Sequence, residues 1–506
     1  MSSISASRSM SRGTPLLLIA SMGCAMTVLD TNVVGVVLPT VARDLNASFA
    51  DVEWMISAYV LCFAALLLPA GSLADRFGRK RVFLSGIALF AAASLACGLA
   101  PSAATLYVAR AVQGVGAAFL LAPALAIIGH AFHNESERAR AWAVWGGIMG
   151  LTMVVSPLIG GMINAWLGWR WAFTINMPIC AVLATGVVKI IDESRDPTPR
   201  TLDLLGIALF AAAMFSVTWA LILGPERGWT SAGVSLRACV GVLLFSAFVI
   251  VERRRAHPML DLRLFRSMPF VGAVVAMFAY AASAQVMASL LPLFLQNARG
   301  VSALGAGVGM LPFAVAMLLL PQLGRKLAQY VTPHQILTLG LAVVACGNLA
   351  MMGAAHSGNR AWLMVAMAIL GSGVGLLNGE TQKAIMGTVP RDRAGMASGI
   401  STTSRFTGIL LGFSGLGAVL AEGVRSALAT GMAHARVPVV PGFAERVMAG
   451  DFERAFGLYP ATLSSVLTNV AKSSYGNGFS HAFVAAAMVA ATAAVIVFIS
   501  MRRISR

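Results

Sequence analysis

The sequence predicts an all-α membrane protein with about fourteen membrane-spanning helices. Of the 506 residues, 58% are hydrophobic and only 11% are charged, and the mean hydropathy is +0.80. Soluble domains usually carry about a quarter charged residues, so an ordinary soluble fold is excluded. Apolar stretches of about 20 residues, the length that crosses the hydrocarbon core of a bilayer, recur along the whole chain. Short polar segments separate these stretches.

The apolar stretches give each helix an expected range. The ranges are 15–39, 52–74, 82–100, 104–129, 141–163, 170–191, 203–223, 233–251, 269–295, 302–328, 335–355, 361–388, 394–421 and 477–500. Residues 1–14 are polar and are expected to form a cytoplasmic tail. The apolar run that follows is too long for the core of a signal peptide, so we interpret it as the first retained helix.

The basic residues predict the orientation of the helices. An even number of spans returns the chain to its starting side, so both termini are expected on one side. About twice as many of the 37 Lys and Arg residues fall in loops on that side as in loops on the other. The positive-inside rule therefore predicts cytoplasmic termini in a multi-pass protein of the cell membrane. The longest outer segment, 422–476, is expected to form a small external cap.

Several functional classes are excluded by what the chain lacks. The net charge of +17 does not form a basic face with interleaved aromatics, so no nucleic acid is expected as a partner. The six cysteines fall inside predicted spans without metal-ligand spacing, which predicts neither disulfides nor a metal site. No phosphate-binding loop and no clustered nucleophile with a base is present, so neither direct use of ATP nor enzymatic activity is expected. No cofactor is predicted.

The second span ends in GSLADRFGRKR, which contains Gly71, Asp75, Arg76, Gly78 and Arg79. This run resembles the signature loop of the major facilitator superfamily. The glycines would allow close helix approach and a tight turn, and Asp75 would lie near a helix N-terminus in the other half as part of a conformational latch. The alternative is a positive-inside anchor, which explains the arginines but not the glycines or the aspartate.

The fourth and fifth spans contain two further motifs of that family. RAVQGVGAA, with Gln113 and Gly114, resembles its fourth-helix motif. GLTMVVSPLIGG resembles its antiporter signature, in which Pro157, Gly160 and Gly161 let helices pack closely and bend. The family usually has glycine where this chain has Ser156. A proline kink with ordinary small-residue packing is the alternative.

Two more matches, LDTNVVGVVLP in the first helix and WRWAFTINMP at the start of the sixth, look like the fourteen-span drug/proton antiporters of the superfamily. The resemblance implies two six-helix halves, at 15–191 and 269–500, separated by two additional helices at 203–251. It weakens only in the segment 422–476.

Two acids, Asp30 and Glu380, are predicted deep inside spans and are the natural proton carriers. Asp30 and Arg110 lie roughly 13 Å and 9 Å from the same membrane side at 1.5 Å per residue, so they are expected to pair. Asp30 could instead be a satisfied structural carboxylate. Arg110 could tune the proton site or only neutralise it.

Similar depths suggest a second pair between Glu380 and Arg405. Lys383, one turn from Glu380, could pair with it or extend to the interface. A static ion pair is the alternative to a role in proton coupling.

Among the aromatics, Tyr59, Phe173, Tyr280 and Phe294 are candidates for an adaptable substrate cavity. Ordinary packing is the alternative for each of them.

The resulting hypothesis is a proton-coupled antiporter that exports small organic compounds, amphiphilic or cationic, by alternating access. Its partners would be the substrate, protons and lipid, and it would be energised by the proton gradient; accessory export proteins are unknown. A metabolite importer or facilitator of the same fold is one alternative. A non-transporting membrane sensor is another.

Overall fold

The computed structural model describes residues 2–132, 134–195, 203–255, 262–327, 330–357, 359–389 and 394–502. In these ranges the chain is helical, and fourteen helices are long and apolar enough to cross a membrane. The prediction of an all-α membrane fold with fourteen spans is confirmed. The helices are α1 (Ser2–Asp44), α2 (Phe49–Phe77), α3 (Arg79–Gly98), α4 (Ala103–Ala131), α5 (Glu135–Trp166), α6 (Trp171–Ile190), α7 (Leu204–Arg227), α8 (Ala232–Arg254), α9 (Met268–Ala298), α10 (Ala303–Gly309 and Leu311–Leu327), α11 (Pro333–Ser357), α12 (Arg360–Leu377 and Glu380–Gly387), α13 (Ala394–His434) and α14 (Ser464–Met501).

Several helices are longer than the hydropathy pattern predicts. The segment 422–476 was expected to be a separate external cap, but α13 continues to His434 and α14 begins at Ser464. Only 435–463 connects them, through the short helices Phe443–Met448 and Phe452–Phe456. Hydropathy marks where a helix leaves the apolar layer, whereas backbone hydrogen bonds let the helix continue beyond it.

Local signals in the sequence fix where the helices begin and turn. Ser48 and Ser102 each form a capping box, with Asp51 and Thr105, at the starts of α2 and α4. Gly78 joins α2 to α3 with φ of +114°, a conformation that side chains disfavour. These features give tight connections at both ends of α2.

We call α1–α6 the first half and α9–α14 the second half. Each half repeats one close contact: Gly114 of α4 lies against the backbone of Tyr59 on α2, and Gly371 of α12 lies against the backbone of Phe313 on α10. A Cβ at either glycine would overlap a carbonyl oxygen. The same small-residue contact at equivalent places indicates two related repeats.

The pair α7–α8 packs beside the two halves. Helix α7 contacts α2 of the first half and α13 of the second. Its contact with α2 is aromatic, because the ring of Trp54 lies 5.6 Å from that of Phe215 and 6.4 Å from that of Trp219. The pair therefore covers one of the seams between the halves.

We call the end of the bundle that holds both chain termini the terminal end, and the other the opposite end. The amide of Gln296 donates to the Val36 carbonyl at 2.9 Å, joining α9 to α1 near the opposite end. Helix α5 contacts α10 at the same level. Near the middle of the bundle, the ring centroids of Phe63 on α2 and Phe406 on α13 are 4.2 Å apart. These contacts between the halves all lie between the middle and the opposite end.

The connecting segment 435–463 bridges both halves at the opposite end. Arg454 donates to the carbonyl of Arg43 at 3.0 Å and also contacts Asn46, both beside the end of α1. In the second half, the Tyr475 hydroxyl donates to the Met448 carbonyl. The segment is thus tied to the two halves at once.

Candidate functional site

A buried polar network surrounds Asp30 in the centre of the first half. Its Oδ2 accepts from Arg110 Nη1 at 2.5 Å, and its Oδ1 accepts from the amides of Gln113 at 2.8 Å and Asn176 at 3.1 Å. Ser94 Oγ accepts from the same two amides, at 2.8 and 3.3 Å. All five residues are 1% exposed or less. Side chains from four helices, α1, α3, α4 and α6, thus meet in one hydrogen-bonded network.

The guanidinium of Arg110 is held on its other sides as well. Its Nε donates to the Met55 carbonyl of α2 at 3.1 Å, and its Nη1 also donates to Gln113 Oε1 at 2.7 Å. The ring of Tyr59 lies 4.1 Å from the guanidinium carbon, and that of Phe173 lies 5.9 Å from it. Aromatic faces attract a cation most strongly where water is excluded. The arginine therefore joins α4 to α2 and α6.

This arrangement satisfies the charge of Asp30 without solvent. The carboxylate has one cationic partner and two amide donors, which together offset the cost of removing it from water. A proton added to Asp30 would take the place of one of these donors and leave Arg110 without its counter-charge. Protonation and rearrangement of the network are therefore linked.

The second half contains no equivalent pairing of Glu380 with Arg405 among the described residues. Arg405 donates to Gln285 Oε1 at 3.0 Å, whereas Glu380 pairs with Lys383 at 2.5 Å. The depth estimate was misleading because α12 is broken at Gly379, where φ is +86°. Glu380 therefore starts a new helical segment, so counting residues from the end of the span does not give its depth.

The candidate aromatics are buried in helix packing. Tyr59 and Phe173 face Arg110, as described above, and Tyr280 is 2% exposed. Phe294 packs against Phe479 at 5.2 Å and Phe483 at 5.8 Å between ring centroids. In this conformation the four side chains pack between helices, as the alternative to a substrate cavity supposed. Their role in substrate binding stays a prediction.

The signature loop closes on itself within the first half. Asp75 Oδ1 accepts from Arg79 Nη2 at 2.8 Å and from its Nε at 3.1 Å. The expected partner of Asp75, a helix N-terminus in the second half, is replaced by this arginine of the same loop. Arg76 is exposed and lies over the ring of Phe77. The role of Asp75 as a latch between the halves stays a prediction.

The two glycines of the loop differ. At Gly71 a Cβ would meet only Ala122, at 3.8 Å, so the expected close helix approach is absent there. At Gly78 a Cβ would lie 2.5 Å from Glu193 Oε1, in addition to the unfavourable φ. Only Gly78 is required by the geometry of this conformation.

Glu193, just beyond α6, holds the loop. Its carboxylate accepts from the backbone N–H groups of Lys80 at 3.1 Å and Arg81 at 3.3 Å, at the first turn of α3. A carboxylate at this position is favoured by the unpaired amides and by the helix dipole. Arg81 Nε lies 3.7 Å from the same carboxylate. The end of α6 is thereby fixed to the start of α3.

We expect Glu193→Gln to lower the melting temperature of the purified protein and to slow transport. Glutamine keeps one acceptor oxygen but loses the charge, whose interaction with a helix N-terminus contributes about 0.3 to 1 kcal/mol. The matched control is Asp192→Asn, which removes the charge of the exposed neighbouring acid. Equal melting temperatures for the two variants would contradict the proposed attachment.

The fifth-helix motif lies at two close contacts. A Cβ at Gly160 would lie 3.2 Å from the Cα of Val33 on α1, within the first half. A Cβ at Gly161 would lie 2.9 Å from the Ala303 carbonyl oxygen of α10, in the second half. In the opposite direction, a Cβ placed at Gly307 of α10 would lie 2.7 Å from the Pro157 carbonyl oxygen of α5. The motif therefore forms part of the seam between the halves.

Ser156, which stands where the family usually has glycine, makes its hydrogen bond within α5. Its hydroxyl donates to the Thr152 carbonyl one turn earlier at 2.5 Å, and the side chain is buried. This pattern is common for serine inside helices and satisfies the hydroxyl without a partner on another helix. The serine thus does not hold the two helices apart.

Four residues to which the structure draws attention were not found from the sequence: Ser94 and Asn176 of the Asp30 network, Glu193 at the signature loop, and the buried acid Glu53. Glu53 is 8% exposed and lies near the start of α2. Single polar residues in apolar spans are common, so spacing alone does not select Ser94 or Asn176. Acids near predicted span ends, such as Glu53 and Glu193, are normally assigned to the interface.

Comparisons with known proteins agree with this architecture. Residues 20–413 match the family model described as Major Facilitator Superfamily. The chain is 34% identical over 420 residues to the multidrug resistance protein Stp of Mycobacterium tuberculosis, covering 83% of this chain and 78% of that one. It is 31% identical to the tetracenomycin C resistance and export protein of Streptomyces glaucescens, covering 95% and 90%. It is 30% identical to the multidrug efflux pump LfrA of Mycolicibacterium smegmatis, covering 99% and 98%.

Solved structures share the fold at low identity. A bacterial homologue of the human lysosomal transporter Spinster, in an inward-facing and unoccupied conformation, aligns with a TM-score of 0.64 and 18% identity over 97% of both chains. A POT family transporter in complex with 5-aminolevulinic acid aligns with a TM-score of 0.65 and 11% identity, over 97% of this chain and 96% of that one. At these identities the similarity concerns the fold alone.

Proposed function

The chain belongs to the major facilitator superfamily and is a membrane transporter, not an enzyme; we propose that it exports small organic compounds from the cell in exchange for protons. The exchange would proceed by alternating access, with the two halves rocking about a central cavity. The proton gradient supplies the energy.

The observation that carries proton coupling is the environment of Asp30. A carboxylate in the membrane interior is expensive, and such residues usually serve transport or proton transfer. Here the carboxylate is bound by donors from α4 and α6, which are separate helices of one half. A movement between these helices changes how well the charged form is stabilised, which is the property that a proton carrier needs.

Export as the direction is supported by orientation. The Lys and Arg residues favour the terminal end as cytoplasmic, in the cell membrane. The halves meet between the middle and the opposite end, at contacts such as Gln296 with Val36 and Gly161 with Ala303. A molecule closed at its outer face is ready to take a substrate from the cytoplasm.

The substrate class is supported by the printed names of the relatives. Stp and LfrA are named for multidrug resistance and multidrug efflux, and the Streptomyces glaucescens relative is named for resistance to tetracenomycin C and its export. Drug-like amphiphiles also suit a fold whose interior is apolar and rich in methionine, a side chain that adapts to irregular shapes. We therefore propose amphiphilic or cationic organic compounds as substrates.

The test is a susceptibility screen in a bacterium that lacks its own major efflux pumps. Expression of the protein should raise the inhibitory concentrations of several dyes, biocides or antibiotics, and a protonophore should abolish the cellular extrusion of a fluorescent member of that set. Asp30→Asn, expressed at the same level, should give no protection. Extrusion that persists without a proton gradient would overturn the proposed coupling. Protection equal in the mutant would remove Asp30 from it.

A further inference from the structure

Glu53 is a buried acid that the proposed transport mechanism leaves unused. It lies one turn into α2 from the opposite end and is 8% exposed. Neither carboxyl oxygen has a hydrogen-bond partner in the described part of the chain. An isolated acid inside an apolar interface is costly, so its position requires a physical explanation.

The carboxyl group of Glu53 lies in the seam between the halves. It packs directly against Gly417 of α13, where a Cβ would overlap Oε1. Its neighbour Trp54 faces the aromatic rings of α7, and the Met55 carbonyl receives Arg110. Because α2 belongs to the first half and α13 to the second, Glu53 must be uncovered when the halves separate at the opposite end.

The surrounding charged groups do not neutralise Glu53. Arg110, which donates to the Met55 carbonyl two residues further along α2, is already engaged by Asp30 at 2.5 Å. Other ionisable groups occur on α2 itself, on the helices packed against it and on the connecting segment, and none forms a described hydrogen bond or ion pair with Glu53: Arg43, Asp44, Asp51, Asp75, Arg76, Arg79, Lys80, Arg81, Tyr107, Glu226, Arg227, Arg405, Glu422, Arg425 and Glu445. Asp51, the nearest acid in sequence, is occupied by the cap at Ser48.

These observations favour the uncharged acid while the seam is closed. Removing an ionised carboxylate from water without a partner costs far more than removing the neutral acid. In the open seam the carboxylate is hydrated and can ionise freely. Closing the seam is therefore linked to uptake of one proton, and opening it to release of that proton.

We propose that Glu53 is a proton-operated gate residue, which takes a proton from the outer solution when the opposite end closes and returns it to the same solution when that end opens. This proton never crosses the membrane, so it adds nothing to the number of protons exchanged per substrate. It makes closure more favourable as the outer solution becomes more acidic. The proposal rests on the proposed function only for which face is the outer one.

The experiment measures closure directly. Spin labels are placed at Leu167 of the first half and Arg360 of the second, both exposed at the opposite end, in a cysteine-free background that retains transport. Distributions of the distance between the two spin labels are recorded in reconstituted protein over a series of pH values from acidic to mildly alkaline. The closed fraction should rise as the pH falls.

In Glu53→Gln, the closed fraction should be high and its pH dependence should disappear, because the amide is neutral at every pH. If the glutamine variant is not produced in the membrane, Glu53→Leu provides the same test, because leucine is also uncharged at every pH. The matched control Glu422→Gln removes an exposed acid of α13 and should keep the pH dependence. The number of protons exchanged per substrate should be the same in Glu53→Gln as in the unchanged protein.

Three results would overturn the proposal. One is a pH dependence of closure that is unchanged in Glu53→Gln. Another is loss of that dependence in Asp30→Asn while Glu53→Gln retains it, which would assign the gate to Asp30. The third is a changed number of protons per substrate in Glu53→Gln, which would make the proton of Glu53 a transported one. Failure of a pH gradient to drive transport in the unchanged protein would instead contradict the proposed function, and it leaves the distance measurement valid.

Discussion

Asp30→Asn should reduce pH-gradient-driven accumulation of substrate to the level of vesicles without protein. Asparagine keeps the shape of the side chain but does not ionise in the physiological range, so it cannot carry a proton between the two solutions. Its carbonyl oxygen can still accept one of the bonds that Arg110, Gln113 and Asn176 donate. Counterflow of substrate down its own gradient should therefore survive, because it requires the rocking movement and no net proton transfer.

The two modes of transport separate coupling from structure. Both are measured in reconstituted vesicles at matched protein density, with Asp192→Asn as the control for loss of an exposed acid. A purely structural Asp30 would lower expression, accumulation and counterflow together, since Arg110 would remain buried without a counter-charge. Coupled accumulation at the unmodified level would show that the proton is carried elsewhere, with Glu380 as the leading candidate.

Gly161→Leu should abolish transport by preventing closure at the opposite end. A Cβ alone would lie 2.9 Å from the Ala303 carbonyl oxygen and 3.0 Å from the Cα of Leu304, and these are backbone atoms that cannot turn aside. Leucine adds three further carbons at the same place. The halves must then separate at α5 and α10, so both accumulation and counterflow should fall to background. Spin-label distances across the opposite end should lengthen.

The same helix provides a matched control. A Cβ at Gly146 would meet no atom within 4 Å, so Gly146→Leu adds the same apolar volume to α5 without a clash. Gly160→Leu should have an intermediate effect, because Gly160 faces α1 of its own half and not the other half. Transport by Gly161→Leu at the rate of the Gly146 variant would leave the fifth-helix motif without its proposed role in closure.

The fold was predictable because the apolar layer of a membrane imposes one length and one secondary structure on each span. Fourteen helices follow from that constraint, and the matching depths of Asp30 and Arg110 predict a pair that the structure contains. The ends of α13 and α14 were not predictable in this way. Beyond the apolar layer, helix length depends on backbone hydrogen bonds and on packing, which hydropathy does not report.

The site was predictable only where a charged residue is so costly to bury in the membrane that it requires a partner of opposite charge. A buried arginine requires an acid, and only Asp30 lay at a suitable depth in the first half. Glu380 and Arg405 failed the same reasoning because Gly379 interrupts the helix, so that distance along the sequence no longer measures depth or direction. Glu53 was missed for a different reason. Its burial comes from α13, a helix more than 300 residues away in sequence, and no local pattern encodes that contact.

The position of α7 has a consequence for compounds that are dissolved in the lipid. On one flank of the molecule, α5 and α10 meet directly, and they carry exposed apolar side chains such as Leu151, Val308 and Val315. On the other flank, α7 lies against both α2 and α13, with α8 packed beside it, so the bilayer faces the additional helices there. A hydrophobic molecule that diffuses sideways within a leaflet therefore encounters two unequal approaches to the interior. With the additional pair in place, the flank of α5 and α10 is the one on which the two halves themselves face the lipid side by side.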